Sequence, residues 1–168
     1  ESYLFLRLLR KLRQCNPDVV VVKDTSVYAG LLGTMCGLIL MKEVIVDFDD
    51  LKSAYTTELV RSSVNELLIP LVGRSLAFCE DMILRRATRV TALSSFMVRY
   101  AAKRGVRKDL IFIPDGVDLA LFDPSRVDKE RIKAIRREMR VGEEARLCVY
   151  AGRVDANMGL EILYQAAL

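Results

Sequence analysis

The chain has 168 residues, 52% hydrophobic and 29% charged, which is enough apolar material for one domain with a sizeable core. Its net charge of +4, from 26 basic and 22 acidic residues, is weak and scattered, and no aromatic residues interleave with the arginines as a base-stacking platform requires, so no nucleic-acid partner is expected. Cys15, Cys36, Cys79 and Cys148 lie far apart without a C-x-x-C pair and there is no histidine, so no metal is expected and the thiols read as reduced core residues.

Residues 2–13 read as a helix with Leu4, Leu8, Leu9 and Leu12 on one face and Arg7, Arg10, Lys11 and Arg13 on the other, ended by Asn16-Pro17. Residues 18–23 form a valine-rich strand of the kind buried on both faces. Thr25 or Ser26 caps the next helix. Gly30, Gly33 and Gly37 lie inside that helix with no Gly-Lys-Ser/Thr after them, so they read as close packing on the sheet rather than as a phosphate loop. The apolar run 27–41 is too short to span a bilayer. Residues 43–48 are the next strand, 57–87 one or two helices around Pro70, 89–93 a strand, and 94–104 a helix opened by Ser94 and closed by Gly105. A strand over 111–113 stops at Pro114, and residues 115–125 form an extended linker. A charged helix over 126–140 follows, then a strand over 147–151, a polar turn over 152–158 and a helix from Gly159. The alternation predicts an α/β fold, a parallel sheet with helices on both faces, followed by the start of a second unit of the same kind.

In open parallel sheets the ligand crevice lies beyond the carboxyl ends of the strands. Those ends carry Lys23 and Asp24, then Asp47, Asp49 and Asp50, then Ser94, and in the second unit Gly152 and Arg153. Three acids within four residues after an apolar strand are unusual for a core segment, because a buried carboxylate is costly unless paired, so they are expected to face the cleft. The plainer alternative is that Asp50 caps the next segment and Asp47 pairs with a nearby cation. Gly152-Arg153 sits in a strand, glycine turn, helix order, where backbone N–H groups at a helix start can hold an anion.

Three segments carry a family resemblance: Val90-Thr91-Ala92-Leu93-Ser94-Ser95-Phe96, Ile113-Pro114-Asp115-Gly116-Val117-Asp118, and Tyr150-Ala151-Gly152-Arg153 with Gly159 after it. In order and spacing they resemble the retaining nucleotide-sugar glycosyltransferases of family 4, which have the GT-B architecture of two facing Rossmann-like domains. The resemblance reaches from about residue 18 to the C-terminus and covers only part of the family's length. It implies an incomplete acceptor-side domain over 1–114, the interdomain linker over 115–125, and over 126–168 the start of a truncated donor-binding domain. The chain is then a fragment, inactive alone.

The resemblance also implies roles. Gly152 and Arg153 would bind the donor diphosphate, although the lysine that usually follows is Met158 here. Asp49 stands where the family commonly has a histidine, as acid–base or sugar-orienting group, with Lys23, Asp24, Asp47, Asp50 and Ser94 lining the acceptor side. A forked guanidinium suits a diphosphate because it bridges two oxygens as the glycosidic bond breaks. The implied partners are a nucleotide-sugar donor, taken as substrate with no cofactor, and a sugar or lipid-linked acceptor. The implied location is cytoplasmic, with weak peripheral contact between the basic first helix and anionic lipid as the lesser reading beside a helix packed on the sheet. A non-catalytic pseudo-transferase with the same fold is the alternative, which Met158 favours. Another Rossmann-like nucleotide enzyme is disfavoured, because no G-x-G-x-x-G or Walker loop is present.

Overall fold

The computed structural model describes residues 2–106, 109–142, 144–154 and 158–167. The chain divides into two compact units, Glu1–Gly116 and Val117–Leu168. The first begins with helix α1, Ser2–Cys15, whose half-buried stripe is Phe5, Leu8, Leu9 and Leu12. That stripe corrects the expected one by a residue: Phe5 turns inward and Leu4 is 49% exposed. Asn16, at φ 43°, takes the left-handed conformation that ends a helix, and Pro17 prevents its continuation.

Four parallel strands follow in the order β1 (Val19–Lys23), β2 (Glu43–Phe48), β3 (Arg89–Ala92) and β4 (Leu110–Phe112), each paired with the next. Between β1 and β2 lie a π-helical turn, Val27–Leu31, and helix α2, Leu32–Ile39. Helices α3 (Lys52–Leu59) and α4 (Ile69–Arg86) join β2 to β3, and α5 (Ser95–Lys103) joins β3 to β4. The break between α3 and α4 lies before Pro70, which occupies the first turn of α4, where a missing N–H costs nothing.

The core lies on one face of the sheet. Val20 and Val22 of β1, Val44, Val46 and Phe48 of β2, and Val90 and Ala92 of β3 point the same way and cluster with Ile83 and Leu84 of α4, Ala87 at its end, and Met97 and Ala101 of α5. Helix α2 approaches so closely that a Cβ at Gly37 would lie 2.5 Å from Val44 Cγ2, and one at Gly33 would lie 3.0 Å from Val22 Cγ2. These glycines are therefore packing positions. Among the described residues, helices on both faces, and a β1 buried on both faces, are not observed: Val21 is 67% exposed, and β1 alternates buried and exposed. The physical reason is topological. Right-handed crossovers between successive neighbouring strands place every connecting helix on the same side.

The second unit contains a short turn, Pro124–Arg126, and helices α6 (Lys129–Glu138) and α7 (Leu160–Ala167). Asp128 opens α6 by accepting from the N–H groups of Glu130 and Arg131, so the expected helix over 126–140 is shorter at both ends. No strand forms over residues 146–151, which carry no ladder partner among the described residues. A ladder needs a second strand to pair with, and the described part of this unit supplies none. None of the unit's described residues is buried. The cysteines are all free; Cys36 is buried, but Cys15 and Cys148 are exposed, which corrects their reading as core residues.

Candidate functional site

Lys23, Asp24, Asp47, Asp49 and Asp50 converge at the carboxyl ends of β1 and β2. Parallel register sets Lys23 beside Asp47. Asp47 and Asp49 share a face because side chains alternate along an extended chain, with buried Phe48 between them pointing to the core. Lys23 Nζ lies 2.7 Å from Asp47 Oδ2 and 3.2 Å from Asp49 Oδ2. Thr91 Oγ1 on β3 donates to Asp47 Oδ1 at 2.7 Å. A second lysine, Lys52 at the start of α3, lies 3.0 Å from Asp50 Oδ2 and 3.9 Å from Asp24 Oδ2.

Asp24 holds a left-handed backbone, φ 70°, which aspartate tolerates better than most side chains. Its Oδ1 accepts from the Ser26 N–H at 2.7 Å, and its own N–H donates to the Asp47 carbonyl at 2.9 Å. The loop after β1 is thereby tied to β2.

Four carboxylates face two lysines, so each ammonium is drawn strongly to its charged form. Hydrogen bonds to Asp47 and then Asp49 push the Lys23 ammonium well above its usual range. The Lys23 hydrogen bond, with help from Thr91 and against partial burial, holds the Asp47 carboxyl below its usual range. Lys52 is raised chiefly by its hydrogen bond to Asp50. Asp47 therefore pairs with a cation, as the plainer reading had it. Asp50 does not cap α3, whose N-cap is Leu51 with no side-chain bond.

Asp49 differs from its neighbours. Its side chain is 24% exposed, its Oδ2 meets Lys23, and its Oδ1 is shielded from solvent without a hydrogen-bond partner. An unfilled acceptor in such a place is chemically informative, because buried polar atoms are nearly always satisfied. Ser94, by contrast, uses its hydroxyl to accept from the Met97 N–H at 3.2 Å and so caps α5 rather than joining the cluster.

Gly152 and Arg153 belong to the second unit. There the Tyr150 hydroxyl donates to the Arg153 carbonyl at 2.7 Å, and the tyrosine folds against Gly152, where a Cβ would lie 2.7 Å from its hydroxyl. Gly159, at φ 66°, precedes α7. Positions 155–157 of the expected anion-holding turn lie outside the described residues.

Sequence reasoning missed Lys52, Thr91 as a hydrogen-bond donor, and Glu80. Glu80 is 1% exposed, and four donors meet its carboxylate: Thr25 Oγ1 at 3.0 Å, the Ser53 N–H at 3.1 Å, Ser53 Oγ at 3.0 Å and the Tyr100 hydroxyl at 3.0 Å. The signal was present. Glu80 heads a buried stripe with Ile83 and Leu84 of α4 and its C-cap Ala87, and an acid on a core-facing stripe demands partners. A cavity of about 480 Å³, lined by Leu4, Val27, Tyr28 and Leu31 with the hydroxyl residues Ser26 and Thr56, shares the Ser26 loop with the cluster.

Among the described residues no group of side chains could hold a metal ion, and no helix is long and apolar enough to cross a membrane. No protein-family model matches the chain, and no curated protein matches it at a significant level.

Proposed function

We propose that the protein is a retaining nucleotide-sugar glycosyltransferase of GT-B architecture, with the first unit on the acceptor side and the second on the donor side. The observation that carries this reading is Asp49: a carboxylate at the carboxyl end of a parallel strand, clamped by Lys23 through one oxygen and unfilled at the other. The order of the I-P-D-G-V-D and G-R segments along the chain supports the same reading.

In this mechanism the Asp49 carboxylate, its shielded Oδ1 opening to the cleft, accepts from an acceptor hydroxyl next to the reacting one and so orients the acceptor toward the anomeric carbon. The Lys23 clamp fixes the direction of the Asp49 carboxylate. Asp47 has both oxygens engaged, by Lys23 and Thr91, and serves as a buttress rather than as a reacting group. As the glycosidic bond breaks, negative charge grows on the donor diphosphate, which Arg153 neutralises through paired N–H donors, while the leaving phosphate oxygen accepts the acceptor's proton. The largely apolar lining of the Leu4/Val27/Leu31 cavity supports an acceptor carrying a hydrophobic portion.

A second reading, a pseudo-transferase with the fold but without donor binding, is favoured by Met158, which removes a cation from the donor turn. The two separate on the protein at its native length. A charge-assisted hydrogen bond to a diphosphate is worth about 1.5–3 kcal/mol, so Arg153→Ala should weaken donor use about ten- to a hundredfold, and Met158→Lys should strengthen it. The transferred sugar should keep its anomeric configuration by NMR. Inverted product contradicts the retaining mechanism. Unchanged donor affinity in both variants favours the pseudo-transferase.

A further inference from the structure

We propose that Glu80 is the positioning residue of the carboxylate and lysine cluster: one buried carboxylate that pins the loop after β1, the first turn of α3 and the middle of α5 to a single point. Each residue it touches adjoins the cluster. Thr25 follows Asp24, Ser53 follows Lys52, and the Tyr100 ring packs against Phe48, centroids 5.9 Å apart, which stands between Asp47 and Asp49. Three chain segments far apart in sequence thus meet at two oxygens.

The chemistry explains why this position holds an acid. A carboxylate accepts at both oxygens and can take four donors at once, whereas an amide has one oxygen and an aliphatic side chain has none. All four donors are uncharged, so the bond set is directional and short in reach. Its geometry therefore transmits to the neighbouring backbone. Burial alone would be served better by leucine. Farther out, the Arg104 guanidinium lies 4.8 Å over the Tyr100 ring and 3.0 Å from Asp81.

The activity part of this inference rests on the proposed transfer reaction, but the geometric part does not. Glu80→Gln keeps the shape but offers one acceptor oxygen in place of two, so the Ser53 N–H and Thr25 keep their acceptor while the Ser53 and Tyr100 hydroxyls lose theirs. Tyr100→Phe removes one of the four donors without changing any charge near the cluster. Both variants are compared with the parent at native length by NMR titration of the Lys52 ammonium, by thermal unfolding and by transfer kinetics.

If Glu80 positions the cluster, Lys52 titrates closer to its ordinary value in Glu80→Gln and moves the same way, by less, in Tyr100→Phe. Transfer kcat falls about ten- to a hundredfold in Glu80→Gln with the donor KM unchanged, as for misplaced reacting groups. A lower melting temperature with Lys52 titration and kcat at parental values in both variants overturns the proposal and leaves Glu80 a core bolt. A protein that transfers no sugar loses the kinetic readout only. The Lys52 titration then still decides, and the failure belongs to the functional reading.

Discussion

Asp47 and Asp49 share a strand face and a lysine, yet their oxygens are used differently. Asp47 is filled on both sides by Lys23 and Thr91, while Asp49 keeps one oxygen shielded and free of hydrogen bonds. The pH dependence of stability follows from the first pair. The folded-state pKa of Asp47 lies below its ordinary 3.8, so its contribution is complete above that value and is lost as pH falls through the depressed pKa. Lys23 is raised above 10.5, so its contribution is complete below that value and is lost only as pH rises through the raised pKa. The stability difference between the parent and Asp47→Asn should therefore be flat from about pH 5 to about pH 9 and shrink below about pH 4, as read from denaturant unfolding across that range. A difference that grows on acidification would show that Asp47 is not held as an ion by Lys23. Both side chains are substantially exposed, so the effect should also weaken with added salt.

At the scale of elements, most strands could be read from apolar runs with turn signals at their ends, and β2 occupies the predicted residues 43–48. The helix starts were harder. Helix α3 begins at Lys52 behind Leu51, with no capping side chain to mark it, and Pro70 looked like an interior break although it stands in a first turn. Four successive valines cannot say whether β1 is central or at an edge, because composition records burial potential and not neighbours. The acids of the site were legible from 47–50, whereas Lys52 and Glu80 acquire meaning only once α3 and α4 fold back over the strand ends. Close packing of the π-helical turn gives a sharp test. A Cβ at Gly30 would stand 2.7 Å from the Thr25 carbonyl carbon, and backbone cannot step aside as a side-chain tip can. Gly30→Ala should destabilise by about 1–3 kcal/mol in denaturant unfolding. Gly116→Ala, where nothing lies within 4 Å, should stay within about 0.5 kcal/mol. Equal midpoints for the two variants would mean that the loop after β1 relaxes freely.

Among the described residues of the molecule, burial is confined to the first unit, where the central strands β2 and β3 carry fully buried Val44, Val46, Phe48 and Ala92. Local opening costs most where backbone hydrogen bonds and apolar contacts are densest. Native-state hydrogen exchange of this chain should therefore find β2 and β3 amides protected by orders of magnitude over those of α7, none of whose described side chains is buried. Uniform protection across both would contradict that distribution. The proposed sugar-transfer site at the strand ends of the first unit, with Asp49 as its working carboxylate, is tested most directly by pairing turnover with thermal unfolding in Asp49→Asn at native length. The amide keeps the shape and the hydrogen bond to Lys23 at reduced strength, so stability should change by less than about 1 kcal/mol. Transfer from the nucleotide sugar should fall about a hundredfold or more. A large loss of stability with a proportionate loss of activity, or turnover equal to that of the parent, would contradict the account.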